Sequence, residues 1–385
     1  MQVLLNLLAA VALLVWGTHL VRAGILRVFG ADLRRVLAQS VSSRYRAFLA
    51  GLGVTGLIQS SSATALITTS FVGQGLVPLA PALVIMLGAD VGTSLMTLVF
   101  SFDLSWLSPM LILSGVVMFL SRQNSNVGRM GRVLIGLGII ILALQMIVIA
   151  VKPLTQAAGV KVIFASLTGD PLLDMLVGAV FTLFFYSSLA VVLLTATLAA
   201  SSVIAIPVAM GLVLGANLGS GLLAILSTLH TNREGRRLPL GNFLFKITGC
   251  LLFLPFLGYA QQWLAGFEAG PQQTVVHFHL LFNVTLALLF IFAAAPVARL
   301  AERLLPTLPV AESPSRPRHL DLSALLTPSL AISCAAREAL RVGDIIETML
   351  AGVLTVLKTN DRQLAADIRK MDDAVDDCTP PSSFT

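Results

Sequence analysis

The sequence predicts an all-α polytopic membrane protein made of two inverted-topology repeats, each with a re-entrant hairpin and a broken helix, followed by a short helical cytoplasmic C-terminal segment. Three observations predict it. Of 385 residues, 56% are hydrophobic and only 11% charged, where soluble domains carry about 25% charged residues. Apolar runs recur that approach the ~20 residues a helix needs to cross a hydrocarbon core of about 30 Å. The chain also matches itself without gaps at an offset of 127 residues.

The net charge of +6, from 25 basic against 19 acidic residues, sits in short loops between apolar runs. That placement reads as membrane topology and excludes a nucleic-acid face. Cys250, Cys334 and Cys378 show no CxxC or Cys/His spacing, so neither a disulfide framework nor a zinc site is expected. No nucleophile, base and orienter stand together, so the chain does not read as an enzyme and needs no cofactor.

Val3 to Val21 forms the first span, and its arginines follow it rather than precede it, the reverse of a cleaved signal peptide. Arg22, Arg27, Arg34, Arg35, Arg44 and Arg46 then lie on a polar, partly amphipathic linker. Basic loops face the cytoplasm, so the N-terminus is expected outside.

The next apolar segment, Phe48 to Phe71, holds Gln59, Ser60, Ser61, Ser62, Thr64 and Thr68. Backbone that turns at membrane depth is tolerated only where protein or a water-filled cavity satisfies its polar groups. The segment therefore reads as a re-entrant hairpin, two half-helices meeting at the serines and opening to the cytoplasm. Leu76 to Phe100 is a span carrying Gly88, Ala89, Asp90, Val91, Gly92, Thr93 and Ser94; two glycines and an acid predict a break in it. Pro109 to Leu120 returns inward to Arg122, Arg129 and Arg132.

Val133 to Val151 goes outward, and Lys152 to Pro171 is an external linker. Leu172 to Ala200 carries Thr182, Tyr186, Ser187 and Ser188 at its centre and reads as a second hairpin, opening outside. Val203 to Leu226 descends through Gly215, Ala216, Asn217, Leu218, Gly219 and Ser220 to Arg233, Arg236 and Arg237. Leu240 to Tyr259 rises, Gln261 to Gln273 lies outside, and Val275 to Val297 descends to Arg299 and Arg303. Every basic loop falls on one side. The resulting divisions are repeat 1 over 1–127 (hairpin 48–71), repeat 2 over 128–260 (hairpin 172–200), an external loop with the last span over 261–305, and 306–385.

At the common offset Gly51 falls on Gly178, Thr55 on Thr182, Ser60 and Ser61 on Ser187 and Ser188, and Thr68 on Thr195. Gly88, Ala89 and Asp90 fall on Gly215, Ala216 and Asn217, with Gly92 on Gly219 and Thr93 on Ser220. An odd number of full crossings per unit inverts the second unit relative to the first, the arrangement of many secondary transporters. The competing reading, small residues permitting close helix packing, does not account for three consecutive hydroxyls after Gln59.

The run Gln59 to Thr64, followed by Gly88 to Thr93, resembles the sodium/phosphate cotransporter family, and specifically its bacterial members with a C-terminal PhoU-like domain. The resemblance implies sodium-coupled uptake of inorganic phosphate by symport across the plasma membrane, the bacterial inner membrane, with sodium as coupling ion. Gln59, Ser60, Ser61, Ser62 and Thr64 match the family motif. In the second repeat Ser187 and Ser188 match, but Tyr186, Leu189 and Val191 stand where Gln, Ser and Thr are expected.

A phosphate dianion at mid-membrane needs donors and opposing charge. Half-helix N-termini supply both, and hydroxyls add donors that can also ligate sodium. The expected substrate and ion site is therefore Gln59, Ser60, Ser61, Ser62, Thr64, Asp90, Thr93, Ser187, Ser188, Asn217 and Ser220, with no metal beyond sodium. Asp90 is a cation ligand or proton carrier, or else an acceptor for helix N–H groups; Asn217 is a ligand or interhelical glue. Lys246 is expected to snorkel to the cytoplasmic face, and His277 and His279 to sit at the outer interface.

Pro306 to Pro317 reads as a linker. Ala335 to Leu357, with Leu340, Ile345, Met349, Val353 and Val356 on one side, and Asp361 to Asp377 read as two helices resembling the opening of a PhoU-like bundle. Two helices are too few, so a shortened bundle or one completed by a homodimer is expected, with a regulatory partner of that segment implied by the resemblance. Asp372, Asp373, Asp376 and Asp377 read as a solvated face. Two alternatives stand beside phosphate symport: a membrane-anchored phosphate-sensing protein that no longer transports, and a carrier of another small anion.

Overall fold

A computed structural model describes residues 2–123, 125–156, 170–267, 270–306, 320 and 328–378. The helices are α1 (Gln2–Gln39), α2 (Arg44–Ile58), α3 (Ser61–Gly73), α4 (Leu79–Ser101), α5 (Leu107–Ser121), α6 (Asn126–Gln156), α7 (Pro171–Phe185), α8 (Ser188–Ala200), α9 (Ile206–Ser227), α10 (Arg233–Phe253), α11 (Leu257–Ala265), α12 (Pro271–Phe290) and α13 (Ala294–Leu304). These belong to one compact unit, Met1–Leu305; a second, Pro306–Thr385, contains α14 (Pro328–Thr359) and α15 (Arg362–Cys378).

Among the described residues, six helical stretches are long and apolar enough to cross a membrane, and the chain is an all-α polytopic membrane protein. Its outward-facing side chains agree with a hydrocarbon surrounding: Leu113, Ile149, Phe184, Leu251 and Leu288 are among the exposed large hydrophobic residues. Water would penalise such a surface, whereas lipid does not.

The first hairpin follows from local chemistry. Ser43 caps α2 by accepting from the Arg46 N–H at 3.2 Å. The helix ends at Gln59, which adopts φ 59° and ψ 28°, and extended Ser60 starts α3 by accepting from the Ala63 N–H at 3.2 Å. The second hairpin repeats this turn: Tyr186 has φ 54° and ψ 25°, and Ser187 accepts from the Ala190 N–H at 3.2 Å. At 13 to 15 residues, each arm is about 20 Å long, shorter than a bilayer core.

Glycines set the packing of each hairpin against the helix that follows it. A Cβ on Gly51 would strike the Ile85 carbonyl, and one on Gly88 the Phe48 carbonyl; at the common offset, Gly178 faces Leu212 and Gly215 faces Met175 in the same way. Gly92 would meet the Leu52 oxygen at 2.6 Å, and Gly219 the Ala179 oxygen at 2.6 Å. The two halves therefore repeat not only residues but backbone contacts. From Gly88 to Gly92 the contact moves from Phe48 to Leu52, and from Gly215 to Gly219 it moves from Met175 to Ala179, so α2 and α4 run parallel, as do α7 and α9.

The first helices of the two halves, α1 and α6, pack antiparallel: Gly17 approaches Gly136 and Ile140, while Gly24 approaches Arg129 and Val133. Three sequence expectations are corrected. The presumed linker after Val21 is helical as far as Gln39, because Arg22 to Gln39 contains no proline. α4 and α9 pass unbroken through Gly88–Ser94 and Gly215–Ser220; their glycines serve close approach rather than a break, and the discontinuities lie in the hairpins. The polar stretch after Tyr259 begins within α11.

In the second unit, α14 and α15 pack on each other, with a Cβ at Gly352 reaching the Ile368 side chain at 2.9 Å. Ile345, Met349 and Val356 are half-buried, but Leu340 and Val353 are exposed. Glu338 pairs with Arg341 at 2.6 Å. The expected linkers over Lys152–Pro171 and Pro306–Pro317 lie largely outside the described residues, as do the side chains of Asp373, Asp376 and Asp377 and the stretch after Cys378.

Candidate transport site

The hairpin turns place two helix N-termini inside the membrane unit. Gln59 is 7% exposed and its Oε1 has no hydrogen-bond partner. Ser61 is buried, Ser60 and Ser62 are half-buried, and Ser187 and Ser188 are half-buried. Ser60 and Ser187 spend their Oγ atoms as caps, so their contribution to a ligand would come through the helix ends they create. Thr64 turns inward: its hydroxyl lies 2.7 Å from that of Thr55 across the hairpin.

Tyr186 is 67% exposed, unlike buried Gln59, and the second turn is correspondingly barer. Val191 occupies the position equivalent to Thr64, and the Thr182 hydroxyl, equivalent to Thr55, is buried without a partner. A cavity of about 400 Å³ is lined by Gly56, Leu57 and Gln59 together with apolar residues including Val21, Met96 and Leu137. Its walls suit hydrocarbon better than an anion.

The second concentration of polar groups lies between helices. Lys246 on α10 donates to Asp90 Oδ1 at 2.9 Å and to Ser220 Oγ at 2.6 Å. Ser220 in turn donates to the Asn217 carbonyl at 2.7 Å. The lysine and aspartate side chains are 2% and 7% exposed, and both stand near the middle of their helices. The structure thus joins Asp90 to Ser220 through Lys246, a residue the sequence places at the cytoplasmic end of its span.

Lys246 does not snorkel. Its ammonium would have to leave a carboxylate to reach the interface, and an unpaired buried acid is costly. The signal was available: one acid and one base, each isolated within an apolar span, are candidates for each other. Asn217 bonds back to the Val213 carbonyl at 2.9 Å, and Thr93 to that of Ala89 at 3.2 Å, so neither side chain reaches the pair.

His279 is also corrected. It is 1% exposed, with Nδ1 unpartnered, one helical turn from buried Asn283. Asp174, in the first turn of α7, was not anticipated: it is 2% exposed, packs over Gly211 and leaves Oδ1 unpartnered. Repeat 1 has Ala47 there, so the repeat comparison concealed it.

The model of the family described as "Na+/Pi-cotransporter" matches residues 13–148 and 151–293, spanning both hairpins and the ion pair. The chain belongs to that family. It is a member of a transporter family rather than an enzyme, and the family-level function is phosphate transport across a membrane. Among curated relatives, "Putative inorganic phosphate export protein YjbB" of Escherichia coli O157:H7 is 54% identical over 375 residues, covering 97% of this chain and 69% of the relative. The protein of the same name from Salmonella typhimurium is 53% identical over the same coverage. "Uncharacterized protein YqeW" of Bacillus subtilis is 26% identical over 306 residues, 80% of this chain and 99% of the relative. No solved structure matches the chain.

Proposed function

We propose that this chain carries inorganic phosphate across the bacterial inner membrane by alternating access, with sodium as the coupling ion, and that α2–α3 and α7–α8 are re-entrant hairpins of two inverted repeats. The observation that carries this reading is the duplicated turn: a left-handed residue followed by a capping serine, at Gln59-Ser60 and again at Tyr186-Ser187. Each turn presents a helix N-terminus with free N–H groups, the local structure that binds an anion without a buried arginine. Gln59, Ser61, Ser62 and Ser188 complete the donor set; sodium would share the hydroxyls.

Several features support the inverted arrangement. The hairpin arms are too short to span, α1 and α6 pack antiparallel, and Asn232, beside Arg233, bonds the Gly73 carbonyl at 2.7 Å. That bond puts the end of the first hairpin beside the basic start of α10, the end this reading takes as cytoplasmic. The N-terminus would then lie outside and α14–α15, the start of a PhoU-like segment, inside. A homodimer and a regulatory partner of that segment belong to the same reading.

The relatives' name favours a second reading as to direction, namely export. A symporter runs either way with its gradients, so direction is a separate measurement from substrate. Purified protein in liposomes loaded with labelled phosphate, under imposed sodium gradients of each sign, tests both. Sodium-dependent flux that falls at least tenfold in Ser61→Ala is expected. Absence of phosphate flux, or flux indifferent to both sodium and Ser61→Ala, would reject the proposal.

A further inference from the structure

We infer that Lys246 is a tethered cation occupying the place of one coupling sodium at Asp90, so that this carrier retains sodium only at its hairpin ends. The inference rests on the phosphate-carrier reading above and deepens it by naming the residue that sets which cation the mid-membrane carboxylate takes.

Asp90 is the acid expected to hold a cation, and Ser220, three residues after Asn217, its counterpart in the other repeat, supplies a neighbouring hydroxyl. A carboxylate from α4 and a hydroxyl from α9, close enough to share one amino group, make a donor set suited to sodium. In the structure these two oxygens instead receive the Lys246 amino group, at 2.9 and 2.6 Å. A third polar link, from Ser220 to the Asn217 carbonyl at 2.7 Å, orients the hydroxyl so that its lone pairs face the lysine. The charges of Asp90 and Lys246 cancel, and a free cation entering there would have to displace an ammonium that is covalently held at high local concentration.

The position of α10 makes the substitution consequential. α10 packs against α3, α4, α9 and α12, so Lys246 reaches both halves, and α3 is the helix that begins at Ser61. A tethered cation contributes its charge whatever the sodium gradient. One fewer sodium per phosphate also weakens the inward pull of that gradient, which suits the export named for the relatives.

The test is sodium-dependent thermal stability of the purified full chain in detergent, without phosphate, with choline chloride holding ionic strength. The Lys246→Gln variant, with Asp90 retained, is expected to show an added sodium-dependent rise in Tm of roughly 2–4 °C over the parent at sodium about tenfold above its Kd. The neutral pair Lys246→Gln/Asp90→Asn is expected to respond to sodium as the parent does. A double variant that loses the parent's response shows Asp90 already bound sodium; a Lys246→Gln response equal to the double variant's shows no site was uncovered. Either result overturns the inference. If Lys246→Gln does not fold, the double variant alone still decides through the first comparison. Because phosphate is absent, failure here is distinct from failure of phosphate transport.

Discussion

Thr55 and Thr64 share a hydroxyl–hydroxyl hydrogen bond of 2.7 Å across the first hairpin, while their counterparts Thr182 and Val191 cannot. The first hairpin is thus closed by a polar contact that the second lacks. Thr64→Val should leave Thr55 buried and unpartnered, at a cost of about 1–3 kcal/mol, and lower the thermal midpoint measured in detergent. Val191→Thr should raise it by giving Thr182 a partner. A Thr64→Val protein as stable as the parent would show that the bond contributes nothing.

The parallel packing of α2 on α4 leaves no room at Gly88. Gly88→Ala drives a Cβ into the Phe48 carbonyl, backbone that cannot yield without moving a helix, and should cost about 1–3 kcal/mol. Gly53→Ala, on the same hairpin arm with nothing within 4 Å, should be neutral or stabilising by about 0.5–1 kcal/mol. Comparable thermal midpoints for the two variants would contradict the packing account.

Gln59 holds a left-handed conformation that costs a residue with a Cβ on the order of 1 kcal/mol. Gln59→Gly should therefore raise the thermal midpoint slightly while reducing phosphate flux at least tenfold. Opposite movement of the two readouts separates a binding role from a structural one; flux that tracks stability would remove Gln59 from the site.

Breaking the Asp90–Lys246 pair from either side strands a charge in the core. Asp90→Asn and Lys246→Gln should each lower stability by about 3–5 kcal/mol, and their combination should recover most of the loss. Additive losses would show that the pair is not coupled.

The proposed orientation can be read directly. With the native cysteines replaced, a cysteine introduced at exposed Gln123 should react with an impermeant maleimide only from the cytoplasmic side. Labelling from outside would invert the topology.

Much of this protein was legible in its sequence, and the reason is the membrane. Hydrocarbon forces helices of known length and makes every polar run conspicuous, so Gln59 to Thr64, its counterpart at Tyr186 to Val191, and the duplication at one offset stand out as residues alone. The glycines were equally visible, but their meaning was not. A glycine in an apolar run can break a helix or admit a neighbour, and only the carbonyls of Phe48 and Met175 lying against Gly88 and Gly215 decide for packing. Lys246 marks the other limit. Whether a lone intramembrane lysine reaches outward or inward depends on what stands across from it, and Asp90 is 156 positions away. Sequence determined the all-α membrane class and the hydroxyl run, because those follow from local polarity. Tertiary structure decided which cation meets the buried carboxylate, because an ion pair between helices is a property of distance in space.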